Sequence, residues 1–393
     1  MLTHAALLHW PRFDDPARMS QFIATPFTPA TSLCAPAGWM ARALYRPAAR
    51  PQTMSPDQAP AAARHQPVML AEVLAALRPA RGEIIIDATF GAGGYSQAFL
   101  REGARVLAFD RDPSVAPRAA ELALQWHQGF ELIGARFGDM ANALAQRDIQ
   151  PGTVNGIVFD IGVSSMQLDQ AERGFSFRFE GPLDMRMAQS GRSAAEILAE
   201  ESADGLADIF YHYGEERQAR RIARAIVHDR AQTPFTTTKQ LAELIARLCP
   251  ARPQDIHPAT RSFQALRIAV NDELGELVRA LEAAEAWLAP GGRLMVVSFH
   301  SLEDRIVKRF FGQRSGRGQA DSRLLPGEPL RVSPSFEVGG RQPLLPGQDE
   351  CATNPRARSA RLRWGVRTAS APFAADQDLA RLASLPQSKA GRP

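Results

Sequence analysis

The feature that most constrains the fold of this chain is a series of short apolar runs separated by helical stretches. Four of these runs are continuous rather than alternating, as strands buried on both faces of a parallel sheet are: 83–89, 105–110, 131–134 and 154–161. Helical stretches lie between them, at 67–78, 94–102 and 113–127. A further strand, 293–299, is expected after the turn Pro290-Gly291-Gly292. This order predicts a doubly wound α/β sheet.

The first predicted strand ends in a glycine-rich turn, DATFGAGGYS at 87–96. Glycines let the backbone turn tightly and approach a ligand that a Cβ would exclude. Asp87 is expected at the strand tip, where a carboxylate suits the ammonium group of S-adenosylmethionine. Asp110 ends the second strand and suits a ribose diol of either S-adenosylmethionine or NAD. Ser96 occupies the position of the third glycine of dinucleotide-binding turns, which favours S-adenosylmethionine.

The α/β domain is expected to be discontinuous in sequence, with its two parts at 61–166 and 257–368. An inserted domain and two terminal segments are predicted for the rest of the chain. The helical, highly charged stretch 167–256 is interpreted as a domain inserted between the fourth and fifth strands. Residues 1–60, rich in Ala, Pro, Arg and Thr, are expected to be disordered, or to precede a true start at Met54. Residues 369–393 are expected to form a loose tail.

Composition narrows the possible partners and the compartment. The sequence pI is about 9.2, and nearly all basic residues are Arg, with Lys only at 239, 308 and 389. The preference for Arg over Lys suits the recognition of phosphate groups. A coding bias toward Arg is the alternative explanation. The cysteines, Cys34, Cys249 and Cys351, lack metal-ligand spacing, so we expect reduced thiols, a cytoplasmic location and no metal. No apolar run is long enough to span a membrane.

Longer motifs carry a specific resemblance. They follow one another in order and are DIGVSSMQLDQAERGFSFRFEGPLDMRM (160–187), YGEERQARRIARAIV (213–227), HPATRSFQALRIAVNDEL (257–274), GGRLMVVSFHSLEDRIVKRFF (291–311) and NPRARSARLR (354–363). Together they resemble the 16S rRNA N4-cytidine methyltransferase family, from about His65 to Arg367. The resemblance implies a class I (Rossmann-like) S-adenosylmethionine-dependent methyltransferase with an inserted helical domain. It also implies methyl transfer to N4 of a cytidine in the decoding centre of 16S rRNA, with either free RNA or the 30S subunit as substrate.

The resemblance further implies a set of cofactor contacts, which fall on Gly93, Gly94, Tyr95, Asp110, Phe137, Asp160 and Gln167. Two positions depart from the family pattern. Tyr95 stands where the family usually has His, which a backbone contact tolerates and a side-chain contact does not. Met166 replaces a usual Pro in the following loop.

Two residues at predicted strand ends are candidates for the chemistry. Asp160 ends the fourth strand, where it would either polarise an acceptor amine or contact the cofactor alone. His300 follows the fifth strand and would accept the released proton because its ordinary pKa is near neutrality. The alternative for this segment is structural, with Ser301 and Asp304 forming a helix capping box.

Several sets of side chains are candidates for RNA contacts. The alternative for each set is that its side chains only face solvent or pack against the rest of the protein. In the insert they are Arg217, Arg220, Arg221 and Arg224, and on the helix after it Arg261, Gln264, Arg267 and Asn271. A late arginine series at 356, 358, 361 and 363 suits phosphates. Phe175, Phe177 and Phe179 suit stacking on a flipped base or packing between domains. A DNA methyltransferase and a non-catalytic ribosome assembly factor are the competing hypotheses.

Overall fold

The computed structural model describes residues 67–250, 252, 255–316 and 333–386. They belong to one compact unit, Gln66–Pro393. The predictions for residues 1–60, including a start at Met54, lie outside the described residues. None of the described helices is both long and apolar enough to cross a bilayer.

The predicted doubly wound sheet is confirmed. The described residues form seven strands: β1 (Ile84–Asp87), β2 (Arg105–Phe109), β3 (Phe130–Ile133), β4 (Val154–Asp160), β5 (Leu288–Ser298), β6 (Phe336–Val338) and β7 (Arg361–Arg367). Their order is β3-β2-β1-β4-β5-β7-β6. β1 to β5 are parallel, and β7 runs antiparallel between β5 and β6. The carboxyl ends of β1, β2 and β4 therefore meet at one edge, where open α/β sheets bind ligands.

Helices connect and cover these strands. They are α1 (Leu70–Leu77), α2 (Gly94–Arg101), α3 (Ala116–Trp126), α4 (Met140–Ala145), α5 (Ser165–Asp169), α6 (Ala194–Glu200), α7 (Ala203–Gly214), α8 (Ala219–Arg230), α9 (Thr238–Leu248), α10 (Ala259–Asn271), α11 (Glu273–Trp287), α12 (Ser301–Arg314), α13 (Gln348–Thr353) and α14 (Gln377–Ala383). Adjacent strand residues such as Val158 and Phe159 enter two different apolar clusters. Both faces of the sheet are thus buried, which is why the strands are continuously apolar.

β5 begins five residues earlier than the sequence predicts. Val154 of β4 pairs with Leu288, whereas Gly156 pairs with Arg293, so the register shifts between these two positions. The predicted turn Pro290-Gly291-Gly292 is a bulge inside the strand, with Gly291 at φ +83°. The bulge separates Leu288 from the main apolar run of the strand, so the apolar pattern alone does not reveal that Leu288 also pairs with β4.

The inserted segment has an apolar cluster of its own, distinct from the two that cover the sheet. Leu206, Phe210, Ile222 and Leu241 are among its fully buried members. α10, which was expected to belong to the methyltransferase domain, also contributes Phe263 and Leu266 to this cluster. The helix after the insert thus supplies part of the core of the insert. The boundary at residue 256 stays a prediction.

The loose tail predicted from residue 369 is wrong for its described part. α14 buries Leu379 completely, and the Tyr213 hydroxyl donates to the Ala383 carbonyl at 3.0 Å. Asp376 caps the helix by accepting from the backbone N–H of Asp378 and Leu379. Leu379 and Ala383 lie one turn apart on one face, a pattern too short to stand out from the sequence.

Candidate active site

The glycine-rich turn between β1 and α2 packs closely against neighbouring side chains. Gly93 adopts φ +77°, and a Cβ there would lie 2.9 Å from the Phe90 ring. A Cβ on Gly94 would lie 2.2 Å from Cγ of Pro67, below any real contact. The turn therefore requires glycine at both positions, and it leads into the amino end of α2, where helix N–H groups suit an anionic group.

Asp87 does not form the ammonium contact predicted from the sequence. Its carboxylate is fully buried and accepts from the Ser96 hydroxyl at 2.7 Å and from the Ser96 N–H at 3.1 Å. Burial raises the pKa of Asp87 to about 6, against the opposing effect of these hydrogen bonds. Asp87 therefore fixes the glycine-rich turn from beneath, and this role corrects the sequence-based interpretation.

Asp110 lies at the tip of β2, where it was predicted. Its Oδ2 accepts from the N–H of Gly91 at 2.9 Å, and its Oδ1 accepts from the N–H of Asp112 at 2.8 Å. Burial raises the pKa of this carboxyl. Each oxygen keeps a further acceptor position. Asp110 thus joins the glycine-rich turn to the next loop and can still accept from a ribose diol.

The structure explains why Tyr95 is tolerated in place of His. The ring is buried and stacks on Phe99 at a centroid distance of 6.0 Å, and its hydroxyl donates to the Val68 carbonyl. The side chain therefore lies in the core behind the turn. Only the backbone of Tyr95 is free to face a cofactor, and such a contact does not depend on the side chain.

The other two predicted cofactor contacts lie on loops beyond β3 and β4. Phe137 packs edge-on against Phe159 at 5.6 Å. Gln167 closes a capping box with Ser164 at the start of α5, and its Nε2 donates to Asp112 at 2.8 Å. Gln167 thus places α5 beside the loop that carries Asp110. A direct contact between these two side chains and the cofactor stays a prediction.

Asp160 is the least satisfied acid of this edge. Its backbone N–H donates to the Thr89 hydroxyl at 2.8 Å, but its Oδ1 is buried without a hydrogen-bond partner among the described residues. Burial raises the pKa of Asp160 to about 8, and nearby carboxylates, first that of Asp87, add to the shift. An unpartnered buried acceptor is costly, so this site is suited to a donor or cation supplied by a ligand.

The raised pKa of Asp160 predicts a pH-dependent stability difference between the native protein and Asp160→Asn. The unfolded protein releases the proton near pH 4 and the folded protein near pH 8. Folding is therefore increasingly disfavoured by this group as the pH rises between these values. We expect Asp160→Asn to gain stability relative to the native protein as the pH rises from about 5 to about 9.

Urea denaturation without cofactor at several pH values measures this difference in the free energy of unfolding. Asp169→Asn is the control, because Asp169 is 68% exposed on its side chain and, among the described residues, pairs with Arg356 alone. A difference for Asp160→Asn that is constant across the pH range would contradict the raised pKa.

His300 caps α12, which agrees with a structural role for this segment, and its role as proton acceptor stays a prediction. Its Nδ1 accepts from the Glu303 N–H at 3.4 Å, and its Nε2 lies 3.0 Å from Glu303 Oε1. Glu303 in turn accepts from the His300 N–H. Nδ1 is therefore engaged in the cap, whereas Nε2 is buried beside Glu303 Oε1 without a hydrogen bond among the described residues. The capping residue is His300 rather than Ser301, and its partner is Glu303 rather than Asp304.

Arg267, predicted to contact RNA, is buried against Glu273 instead. Its Nε and Nη2 donate to the two oxygens of Glu273 at 2.8 and 2.9 Å. The ligand atoms of Glu273, His300 and Glu303 lie within 4.8 Å of one another, a spacing that suits a metal ion. Arg267 compensates the charge of Glu273, whereas His300 Nε2 and Glu303 Oε1 are buried without hydrogen-bond partners among the described residues.

Comparisons with known proteins identify the family of the chain. A sequence model of the MraW methylase family matches residues 62–368. The Ribosomal RNA small subunit methyltransferase H of Methylocella silvestris is 60% identical, over 83% of this chain and 94% of the relative. That of Beijerinckia indica is 60% identical, over 85% and 94%.

The chain belongs to the MraW methylase family. Its predicted class I methyltransferase fold and its S-adenosylmethionine cofactor are thereby confirmed. An rRNA methylase from Streptococcus thermophilus covers 76% of this chain and 92% of its own, at 12% identity and a TM-score of 0.29. A similarity this low supports no argument about the site.

In this MraW-family chain, the predicted RNA face of α10 is divided between protein and solvent. Asn271 is buried, with its amide donating to Met185 O and Arg267 O and its Oδ1 accepting from Met187 N. The side chain of Asn271 therefore cannot contact RNA without breaking these bonds. Arg261 is exposed and donates to Glu215 O at 3.2 Å, and Gln264 donates to Tyr213 O at 3.2 Å.

The arginine stripe of the insert faces solvent, as an RNA-binding face requires. Arg217, Arg220, Arg221 and Arg224 are all exposed, and the opposite side of α8 buries Ile222, Ala223 and Ile226. Within the described residues, none of the four arginines forms an ion pair with a carboxylate. Their charges are therefore free to meet phosphates.

Several members of the late arginine series and of the phenylalanine series contact other residues of the protein. Arg361 and Arg363 both bind Asp304, at 3.2 and 2.7 Å, and this single carboxylate compensates one of their two charges. Phe175 is buried, and Phe177 packs between His257 and Phe263. Phe179, 60% exposed, is the member of its series that is free to stack on a base.

Proposed function

We propose that this chain methylates N4 of a cytidine in the decoding centre of 16S rRNA, the cytidine 1402 site of the family. The curated relatives are named as small-subunit rRNA methyltransferases, which supports the RNA and the subunit. The observation that carries the choice of an amine acceptor is the unpartnered Oδ1 of Asp160 at the tip of β4. An exocyclic amine is a neutral donor of the kind that this oxygen lacks.

The residues around the edge of the sheet fit the cofactor. The backbone of Gly93, Gly94 and Tyr95 would hold its polar end, and Asp110 would accept from its ribose hydroxyls. When bound, S-adenosylmethionine supplies a methyl group activated by positively charged sulfur. The unpartnered carboxylate of Asp160 would also gain from such a cation nearby, because an opposite charge favours its ionised form.

Asp160 would act on the acceptor amine in two ways. The N4 lone pair of cytosine is delocalised into the ring, so the amine must be aligned with the methyl group to within about 3–3.5 Å. Asp160 would accept a hydrogen bond from one N–H of the amine, which fixes its direction and increases electron density on nitrogen. As the new C–N bond forms and the C–S bond breaks, the carboxylate would take the proton released by nitrogen.

The exposed basic groups would hold the RNA. Arg217, Arg221 and Arg224 of the insert, with Arg220 beside them, would bind phosphates along one strand. Arg261 on α10 donates to Glu215 O, and the Glu215 carboxylate accepts from Ser301 and Arg305 of α12. Arg261 and Gln264 would contact the RNA nearer to the target base. Phe179 would offer a stacking surface.

Methyl transfer to purified ribosomal material tests the proposal. Isotope-labelled S-adenosylmethionine would be supplied with 30S subunits, naked 16S rRNA or duplex DNA from cells that lack the enzyme. Nuclease digestion and mass spectrometry of the RNA fragments would locate the label. We expect a single N4-methylcytidine in 16S rRNA and preference for the assembled subunit. Label on DNA, label on a ring carbon, or cofactor binding without any transfer would each contradict the proposal.

A further inference from the structure

A buried polar cluster joins the loop after β2 to the inserted segment. Asp112 lies two residues beyond Asp110, and its N–H donates to Asp110 Oδ1 at 2.8 Å. Its Oδ2 accepts from Gln167 Nε2 and from Arg173 Nη1, both at 2.8 Å. Side-chain exposure is 3% for Asp112 and 10% for Arg173. A charge pair this deeply buried is costly to form and very costly to break on one side.

Arg173 carries the connection from Asp112 into the insert. Its Nη2 donates to the carbonyl of Arg186 at 3.0 Å and to that of Met187 at 3.1 Å. Its own carbonyl accepts from the Met185 N–H at 3.0 Å. The guanidinium group of Arg173 therefore links the loop that follows Asp110 to the carbonyls of residues 186 and 187, and its backbone carbonyl adds the bond to Met185. Its planar arrangement of donors makes this possible in a way that Lys does not.

Asn271, at the end of α10, binds the same segment from the other side. Its Oδ1 accepts from Met187 N at 2.9 Å and its Nδ2 donates to Met185 O at 2.7 Å. Arg111 donates to the Asn271 carbonyl at 3.0 Å. Met185 adopts φ +61°, an unfavourable value for a residue with a side chain. The conformation of this segment thus depends on the bonds that hold it.

The same segment is part of the core of the insert. The side chains of Leu183, Met185 and Met187 lie in the apolar cluster of the insert. The backbone of 183 and 184 bonds to Thr236, just before α9, and to Ala194 and Ala195 at the start of α6. A change in the order of the loop around Asp112 would therefore alter the order of the insert.

We propose that Arg173 and Asn271 are positioning residues that make cofactor binding and RNA binding favour each other. This inference rests on the proposed function, in which Asp110 contacts the cofactor and the insert contacts RNA. Cofactor bound at Asp110 reduces the motion of the 110–112 loop. Because Arg173 bonds both this loop and residues 185–187, the motion of 185–187 is reduced as well. RNA then binds an insert that is already ordered, and the coupling is reciprocal by thermodynamic necessity.

Amide hydrogen exchange of the full chain tests the first step without RNA. S-adenosylhomocysteine is added, and exchange is followed at Gly91, near the cofactor, and over 183–195 in the insert. We expect exchange in both regions to slow by about tenfold or more in the native protein. In Asp112→Asn/Arg173→Met, which removes both charges together, Gly91 should still be protected and 183–195 should not. Arg173→Lys should keep more of the protection than the double variant does. Lysine retains the positive charge but lacks the several directed N–H donors of the guanidinium group.

A second buried pair provides the control for general destabilisation. Arg314 and Glu285 are each 1% exposed on their side chains and lie 2.8 Å apart. We expect Arg314→Met/Glu285→Gln to lower the melting temperature but to keep the ligand-induced protection of 183–195. A purely structural role for Arg173 predicts the same behaviour for both double variants. Protection of 183–195 that survives in Asp112→Asn/Arg173→Met would overturn the proposal.

The affinity for a 16S rRNA fragment, with and without S-adenosylhomocysteine, tests the second step. We expect the ligand to tighten RNA binding by about fivefold or more in the native protein, and by less than about twofold in Asp112→Asn/Arg173→Met. The kinetic counterpart is a raised KM for RNA with kcat little changed. Both ligands binding independently in the native protein would overturn the inference. No RNA binding in either state would refute the proposed function instead, while the exchange experiment would still show whether the insert responds to cofactor.

Discussion

Asp160→Asn is expected to lower the maximal rate of methyl transfer by about 10²-fold or more, the usual scale for a lost electrostatic or proton-accepting group. Asparagine keeps the shape of the side chain but cannot carry a negative charge or take a proton from the amine. The acceptor nitrogen becomes cationic only in the transition state, so the rate should suffer more than the binding of either ligand. Single-turnover kinetics with saturating cofactor and 30S subunits measures this rate.

The pH profile separates two roles for Asp160. If the carboxylate acts on the amine, the native rate should rise with pH as this group ionises, and the Asp160→Asn rate should be nearly flat. If Asp160 serves the cofactor alone, affinity for S-adenosylmethionine should fall in the variant while the saturated rate stays close to native. Asp169→Asn, an exposed acid on α5, is expected to change neither quantity. A near-normal saturated rate in Asp160→Asn would leave alignment of the amine, without a protein base, as the better account.

Arg220→Ala/Arg224→Ala is expected to weaken RNA binding by on the order of 10²-fold at low salt, because each charge-assisted hydrogen bond contributes about 1.5–3 kcal/mol. The slope of log affinity against log salt should become less steep by nearly one for each lost phosphate contact. Both residues are exposed on one side of α8 and form no ion pair within the described part of the chain. Affinity for the cofactor should not change.

A control with the same loss of charge distinguishes phosphate contacts from a general attraction. Arg192→Ala/Lys239→Ala removes two exposed cations elsewhere on the insert, and Arg192 is already paired with Glu200 and Glu201. We expect this control to change the salt slope by far less. An equal change in both double variants would mean that the stripe of α8 is a solvated face.

The five parallel strands and the position of the functional edge were predictable from the sequence, whereas β6 and the early start of β5 were not. Each of these strands is covered on both faces, so its residues are apolar in an unbroken run. The layered arrangement of the fold can therefore be inferred from each strand segment by itself. The carboxyl ends of parallel strands meet at one edge, so Asp110 and Asp160 were placed correctly without coordinates. The glycine-rich turn was equally visible, because the required backbone geometry excludes other residues at Gly93 and Gly94.

Only the tertiary structure decided which polar groups remain available. Helical periodicity puts Arg261, Gln264, Arg267 and Asn271 on related faces of α10, but it does not say which face meets protein. Asn271 is satisfied by a segment more than eighty residues away, at Met185 and Met187. The same applies to Arg173, which no pattern singled out and which pairs with Asp112 across the insert boundary. Burial and pKa depend on what packs against a group from distant parts of the chain, so Asp87 became a buried support and Asp160 an unpartnered acid.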